Sequence, residues 1–163
     1  METLITPNAI NTGAVISDDG KYRYRLWRIW DDSKPLVLWI MLNPSTADHS
    51  INDPTITRCI GFTKNWGYGG MFVGNLFAYR ATDPRELHCQ RDPYGPDNSH
   101  HVWQMIKECE TVVCAWGNYR NANGNLYQLS SLLNLRCLGV NKNGSPKHPL
   151  YMKSDSELRE YKI

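Results

Sequence analysis

The chain has 163 residues, of which 41% are hydrophobic and 21% charged, and its formal net charge at pH 7 is +2. This length predicts a single domain, residues 1–163, that buries roughly two-thirds of the surface its unfolded chain exposes. The small net charge excludes no partner and identifies none, because nucleic-acid binding depends on a local basic surface and not on the sum of the charges.

The cysteines and the apolar runs indicate the compartment. Five cysteines are spread along the chain without a C-x-x-C pair, which favours a reducing, cytoplasmic setting with free thiols. The first residues lack the basic stretch and apolar run of an export signal, and no run approaches the roughly 18 apolar residues of a membrane span. We therefore expect a cytoplasmic protein with no membrane partner.

The first half of the chain predicts two strands, a helix and a further strand. Residues 22–30 alternate aromatic or aliphatic residues with arginines, which is the period of a half-exposed strand. Residues 35–42 are apolar without alternation, as in a strand covered on both faces. A helix is expected over about residues 53–66, where a glycine-rich turn ends it. Residues 71–79 are expected to form the next apolar strand.

The second half continues the alternation of helices and strands. Helices are expected over about residues 98–109 and around residues 126–133, each followed by an apolar strand, at residues 111–117 and 136–140. Strands that alternate with helices in this way predict an α/β fold, a three-layer α/β/α sandwich with a mostly parallel central sheet.

Four predicted strands end in polar segments. The segments that contain these ends are residues 41–45, residues 74–77, residues 115–118 and residues 139–151. In open α/β sheets the ligand lies in a crevice outside the carboxyl ends of the strands. We therefore expect a binding site where these segments meet.

The order of these segments resembles the uracil-DNA glycosylase superfamily. "MLNPS" resembles the motif that holds the water-activating residue, "VGNLFA" the strand whose asparagine reads the base, "VVCAWGNYRNANG" the apolar strand that ends in Trp-Gly, and "GSPKHPLY" the closing His-Pro-Ser loop. The resemblance spans about residues 36–151 and implies a uracil-DNA glycosylase-like fold. The strings "NPSTAD", "DPT" and "HPLY" are also similar, almost verbatim, to domain-of-unknown-function family sixteen-forty-three, whose name supplies no activity.

The glycosylase resemblance implies a reaction and its residues. Asn43 falls where that superfamily orients a water toward the sugar C1′, and His148 where a neutral imidazole donates to the base carbonyl as negative charge builds there. Asn75 matches the asparagine that pairs with a base edge, and Phe77 or Tyr79 offers a stacking face. The implied function is hydrolysis of an N-glycosidic bond in DNA or in a nucleotide. It is expected to be slow because Asn43 brings no negative charge.

The chain also departs from the glycosylase pattern. Leu150 and Tyr151 follow His148-Pro149 directly, without the small residue and the intercalating loop, and the string "NDPTITR" has no counterpart there. Asp48, Asp53 and Arg58 are therefore candidates for recognising a phosphate or a ribose. These departures favour the alternative function, a non-catalytic module that binds a nucleotide or a modified base, for example to sequester a nucleotide signal.

Beside the catalytic pair Asn43 and His148, the predicted substrate-binding residues are Pro44, Ser45, Thr46, Asp48, Asp53, Arg58, Asn75, Phe77 and Arg80. Asn75 lies within an apolar strand, so its amide needs a hydrogen-bond partner from a ligand or from the backbone. Structural roles remain open elsewhere: a turn or helix cap for residues 43–46, a helix cap for Asp53, a surface loop for His148, an ion pair of Arg80 with Asp83, and core packing for Trp116.

No cofactor and no metal are expected. The histidines and cysteines lack the C-x-x-C or H-x-x-x-H spacing of a zinc site, and "GYGG" lacks the frame of a phosphate-binding loop. The expected partner is nucleic acid or a free nucleotide. The sequence leaves the oligomeric state open.

Overall fold

The computed structural model describes residues 11–119, 126–132 and 134–163, the side chains of residues 126 and 127 excepted. Short 3₁₀ helices lie at Pro84–Cys89 and Pro149–Tyr151. The other elements follow in the order β1 (Asn11–Ile16), β2 (Arg23–Ile29), β3 (Leu36–Met41), α1 (Pro54–Asn65), β4 (Gly70–Asn75), α2 (Asn98–Glu108), β5 (Thr111–Cys114), α3 (Leu126–Ser130), β6 (Leu135–Cys137) and β7 (Arg159–Glu160).

The strands of the described residues form one mixed sheet, in the order β1-β2-β4-β3-β5-β6-β7. Strands β4, β3, β5 and β6 in the middle pair in parallel, whereas β1–β2, β2–β4 and β6–β7 pair antiparallel. The mixed α/β class is thus confirmed, but the prediction of a mostly parallel sheet is wrong at both edges. Strand β7 consists of two charged residues, and the apolar residues of β1 are three consecutive ones without alternation, so the sequence pattern indicates neither strand.

Helices cover both faces of the sheet. On one face Phe62 of α1 packs in a cluster with Trp39 of β3, and on the other Met105 of α2 and Leu129 of α3 pack in a cluster with Leu38. Successive residues of β3 therefore point to opposite cores. This explains its apolar run without alternation, because a strand in the middle of a parallel sheet is buried on both faces.

Helix α1 begins and ends where the sequence predicts. The Asp53 carboxylate accepts a hydrogen bond from the backbone N–H of Ile56 at 2.8 Å, and Pro54 occupies the first turn, where no donor is needed. Beyond the carboxyl end Gly67 has a φ of 85°, a left-handed conformation that favours glycine and stops the helix. The N-cap role considered for Asp53 is confirmed.

The predicted strands after α1 are confirmed but shorter than expected. The strand expected over residues 71–79 ends at Asn75, and that over residues 111–117 ends at Cys114. The apolar residues beyond these ends are buried by loop packing and not by sheet pairing, so hydrophobicity alone overextends both strands. Residue 133 of the third predicted helix lies outside the described residues.

Strand β2 is confirmed, but two of its arginines are buried where half-exposure was predicted. Arg23 is 2% exposed and Arg28 is 0% exposed. The Arg28 guanidinium reaches the loop that follows β3, whose oxygens compensate the burial of its charge. It donates to Asn52 Oδ1 at 2.9 Å, to the carbonyls of Asp48 at 2.6 Å and Ile51 at 3.2 Å, and to those of Trp27 at 2.8 Å and Gly13 at 3.5 Å.

Two further observations concern thiols and membranes. All five cysteines are free, and burial raises the pKa of Cys59, Cys114 and Cys137, which keeps these thiols protonated and unreactive at neutral pH.

Within the part of the chain that the structure describes, no helix combines the length and the apolar character that crossing a membrane requires.

We predict that Arg28→Met lowers the free energy of unfolding by about 3 kcal/mol, because several buried oxygens of the loop lose their donor. Urea unfolding measures the change. The control is Lys34→Met, which removes one charge from a side chain that is 55% exposed and is expected to stay within about 0.5 kcal/mol. Equal stability of the two variants would show that Arg28 does not hold the loop.

Candidate functional site

A cleft of about 890 Å³ lies outside the carboxyl ends of β3, β4 and β5. Its wall combines the segment after β3, the last residue of β4, the segment after β5 and the loop that follows β6. Six of the predicted site residues line it, namely Asn43, Ser45, Thr46, Asp53, Asn75 and His148. The parallel pairing of the middle strands therefore brings together segments that are far apart in the sequence.

The side chain of Asn43 has a fixed orientation. Its Nδ2 donates to the carbonyl of Ala81 at 2.8 Å and to the carbonyl of Pro44 at 3.0 Å. Because both partners are carbonyl acceptors, the atom that faces them must be the amide nitrogen of Asn43, and the amide oxygen faces the other way. Oδ1 accepts no hydrogen bond from the described residues and faces the cleft as an acceptor for a water or a ligand donor.

The carboxamide of Asn75 is buried without partners. The residue is 1% exposed, and neither Oδ1 nor Nδ2 has a hydrogen bond within the described parts of the chain. Its backbone carbonyl, in contrast, accepts from Nδ2 of Asn98 at 2.9 Å. The sequence left open a backbone or a ligand partner for this amide. The described residues provide no backbone partner, and an unpaired buried polar group costs about 1–3 kcal/mol.

His148 presents one ring nitrogen to the protein and leaves the other free. Its Nδ1 accepts from the backbone N–H of Leu150 at 3.2 Å and so caps the 3₁₀ helix. In the neutral ring the proton is then on Nε2, which becomes a donor. Burial lowers the pKa of His148, and the nearby Asp53 carboxylate opposes this effect only partly. The ring is therefore neutral at pH 7. It is half-buried, lines the cleft and caps the 3₁₀ helix.

Charged side chains in the cleft wall give it a cationic excess. Among the described residues, Arg23 and Lys147 line the cleft together with one acidic residue, Asp53. Sequence reasoning missed Arg23 because its position in an alternating strand indicates an exposed residue. The sequence carried no signal for its place in the cleft, because the antiparallel pairing that sets the start of β2 beside the end of β4 is a long-range contact.

Trp116 belongs to the core and to the cleft at once. It is 5% exposed and packs edge to face on Tyr161, with ring centroids 5.9 Å apart, and it also lines the cleft. The core-packing role considered for it is confirmed. Residues 120–125, which complete the "VVCAWGNYRNANG" motif, lie outside the described residues.

Three predicted binding residues lie outside the cleft lining and have structural contacts. Pro44 is buried, and its carbonyl accepts from the backbone of Ala81 at 2.9 Å. Asp48 accepts from the backbone N–H groups of Ser50 at 2.9 Å and Ile51 at 2.8 Å. Burial opposes the ionised form of Asp48, but these two hydrogen bonds and the charges of His49 and Arg28 together lower its pKa. Phe77 is 5% exposed and packs against Tyr94.

The two predicted arginines also lie apart from the cleft lining. Arg58 lines a separate pocket of about 480 Å³ on α1, donates to the carbonyl of Met152 and lies 5.3 Å from the ring centroid of Phe62. Arg80 donates weakly to the carbonyl of Gly20 at 3.4 Å. The ion pair considered for it with Asp83 is wrong, because Asp83 pairs with Arg85 at 2.7 Å. Binding roles for these five residues stay predictions.

No group of three or more His, Cys, Asp or Glu side chains in the described ranges is placed to hold a metal ion. The site is therefore built from amides, hydroxyls, one imidazole and a few charges. Such a set recognises a polar ligand by hydrogen bonds.

Comparison with known proteins gives a single family. The model of the family described as "Protein of unknown function (DUF1643)" matches residues 23–150. No curated protein and no solved structure matches the chain. The matched range includes the described cleft residues from β2 to the 3₁₀ helix capped by His148. The likeness to uracil-DNA glycosylases is not confirmed and rests on the order of motifs.

We predict that Asn75→Leu raises the free energy of unfolding of the ligand-free protein by about 1–2 kcal/mol, because it removes two unpaired buried polar atoms at similar volume. Asn98→Leu is the matched variant, since Asn98 is equally buried but donates to the carbonyls of Asn75 and Leu76; it is expected to be destabilising. Urea unfolding compares the two. If Asn75→Leu is destabilised as much as Asn98→Leu, the Asn75 amide has a structural role.

We predict that the His148 imidazole titrates below pH 6.5, and that Asp53→Asn lowers its pKa further. The sign follows from the removal of the carboxylate that stabilises the imidazolium. Asparagine is also a good N-cap, so α1 is preserved. NMR titration of the ring signals measures both values. A pKa that rises in Asp53→Asn would contradict this placement of the charge.

Proposed function

The chain belongs to the family of unknown function DUF1643, and we propose that its cleft binds a nucleobase and hydrolyses the N-glycosidic bond of a nucleotide or of DNA. The observation that carries the proposal is the unpaired, buried carboxamide of Asn75 in the cleft wall. An asparagine side chain places an acceptor beside a donor, which is complementary to the edge of a nucleobase. A base bound there supplies both missing hydrogen bonds.

The state of His148 supports the hydrolytic step. The neutral ring carries its proton on Nε2, so it can donate to a base carbonyl without a change of protonation. In the reaction, the water oxygen bonds to C1′ while the C1′–N bond breaks. The electron pair of the C1′–N bond leaves on the base nitrogen. A donor to the departing base stabilises that charge, and one such donor contributes about 2.7–4 kcal/mol in comparable oxyanion sites.

Asn43 is assigned to the water. Its Nδ2 is tied to two backbone carbonyls, so Oδ1 is held toward an incoming donor. The amide oxygen accepts one hydrogen bond from the water and orients it, but it does not take up a proton. The water proton therefore passes to solvent as the bond to C1′ forms. This predicts a slow reaction.

The rim of the cleft offers an aromatic face. Tyr151 is 85% exposed and its ring centroid lies 5.9 Å from that of His148. Exposed aromatic rings stack on bases with little dependence on sequence. The ring lies beside the imidazole that we assign to the base, which supports a nucleobase as the ligand.

The second candidate is a module that binds a nucleotide or a modified base without hydrolysis. The neutral side chain of Asn43 favours the binding module, because an amide at that position cannot act as a general base as a carboxylate would. Asp53, the acidic residue of the cleft lining, uses one oxygen to cap α1. Both candidates share the recognition of the base by Asn75 and differ only in turnover.

The test uses single- and double-stranded oligonucleotides that contain uracil, hypoxanthine or mismatched bases, together with free nucleotides. Released base is measured by mass spectrometry and binding by the shift in melting temperature. We expect base release by the wild type and a loss of about 10²–10³-fold in His148→Ala. His49→Ala, with a side chain 72% exposed, is the control and is expected to keep full activity.

Two other results change the assignment. A melting shift that disappears in Asn75→Leu, without release of base, establishes the binding module. No shift and no release with any of these compounds would overturn the proposed function in both forms.

A further inference from the structure

Strand β2 carries two buried arginines that differ in how their charge is compensated. Arg28 donates five hydrogen bonds to protein oxygens. Within the described ranges the Arg23 guanidinium donates one, from Nη1 to the carbonyl of Ala47 at 2.9 Å, and its buried Nε has no partner there. It also forms no ion pair with a described carboxylate.

A β-bulge explains where Arg23 points. In the β1–β2 pair Val15 is opposite Arg25 and Ile16 is opposite Arg23, so Tyr24 is an extra residue on β2. Tyr24 stacks on His101 of α2, and Arg25 also donates to His101, so two consecutive side chains face α2. The bulge thereby turns Arg23 toward Ala47, on the side of the cleft.

The position of β2 in the sheet places Arg23 at the cleft. Because β2 is antiparallel to β4, its first residue lies beside the carboxyl end of β4, and the Arg23 backbone N–H donates to the carbonyl of Ala78 at 3.0 Å. Arg23 lines the cleft together with the hydroxyl-bearing residues Ser45 and Thr46. Its guanidinium is therefore a cation within reach of a bound ligand.

An incompletely paired, buried charge is costly in the absence of a ligand. Transfer of a charged group from water is compensated only when it gains a counter-ion and hydrogen bonds. Burial lowers the pKa of Arg23 to about 10, which still leaves it protonated at neutral pH. The charges of Asp53 and Asp48 favour the protonated guanidinium, but neither carboxylate forms an ion pair with it. An anion with several acceptor oxygens would supply the direct contacts that are missing.

We propose that Arg23 is an anion-binding residue of the cleft and holds a phosphate group of the ligand. This inference rests on the proposed function for the identity of the ligand as a nucleotide. The planar guanidinium fork matches the geometry of phosphate oxygens. The preferred ligand is accordingly a phosphorylated nucleoside, and a free base or an unphosphorylated nucleoside binds more weakly. The phosphate belongs either to a free nucleotide or to a polynucleotide.

Calorimetric titration compares deoxynucleosides with their 5′-monophosphates for uracil, cytosine, adenine, guanine and hypoxanthine. We expect the wild type to bind at least one monophosphate about 10-fold more tightly than its nucleoside. In Arg23→Met this ratio falls to about 1, and in Arg23→Lys, which keeps the charge but not the fork, it lies between the two. Lys34→Met, a charge loss at the amino end of β3, keeps the wild-type ratio.

The comparison of affinities requires that the Arg23 variants fold. Arg23→Met is expected to fold and to melt no lower than the wild type, because the lost guanidinium has one hydrogen bond. If Arg23→Met does not fold, the inference is tested by the affinity ratio of monophosphate to nucleoside in the wild type and by the decrease of this ratio in Arg23→Lys. Equal affinity of the wild type for nucleosides and monophosphates, or a ratio unchanged in Arg23→Met, overturns the inference.

Inorganic phosphate separates this inference from the proposed function. Phosphate is expected to raise the melting temperature of the wild type and not that of Arg23→Met. If it does so while no nucleoside, nucleotide or oligonucleotide binds, the anion site stands and the proposed function fails. If nucleosides bind but phosphate has no effect and the monophosphate gains nothing, the proposed function stands and the inference fails.

The salt dependence identifies the source of the phosphate. If a single-stranded oligonucleotide binds more tightly than the monophosphate and with a steeper decline of affinity with salt, the phosphate belongs to a polynucleotide, because several phosphates are then neutralised. If affinity and slope are equal for both, the ligand is a free nucleotide. Both results support the anion site, provided that Arg23→Met weakens binding.

Discussion

The parallel pairing of β3 with β4 and with β5 is the constraint on which the cleft depends. It brings the ends of these strands to the same edge of the sheet, so that Asn43, Asn75 and Trp116 meet although they are far apart in the sequence. Because β2 is antiparallel to β4, the first residue of β2, Arg23, lies at the same edge as the last residues of the parallel strands. One mixed sheet therefore assembles amides, an aromatic ring and a cation in one place.

The polar residues buried in and behind this edge fall into two groups. Arg28 and Asn98 donate hydrogen bonds that hold the loop after β3 and the backbone of Asn75. Asn75 and Arg23 occupy similarly buried positions, yet within the described ranges both carboxamide atoms of Asn75 and the Nε of Arg23 lack a partner. The first group stabilises the fold. The second costs stability, which a polar ligand would return when it binds.

The sequence predicted the elements whose signals are local and strong. The apolar run of β3, the Asp-Pro start and glycine end of α1, and the placement of polar residues after the strands are all confirmed. What failed depends on long-range pairing. The burial of Arg28 requires acceptors from residues 48–52, and the orientation of Arg23 requires a bulge against β1, a strand whose residues give no clear pattern. Asp53 and His148 each have two roles: the side chain caps a helix and also lines the cleft.

An NMR titration that follows the side-chain Nδ2H₂ signals of Asn75, while nucleotides of different bases are added, tests whether this amide binds the base. We predict that one nucleotide shifts these signals in a saturable way as the amide gains its hydrogen bonds. The Nδ2H₂ signals of Asn98, whose Nδ2 already donates to two carbonyls, are expected to change little. Binding of a nucleotide that leaves the Asn75 signals unchanged, or the absence of binding by every nucleotide tested, would show that Asn75 does not recognise a base.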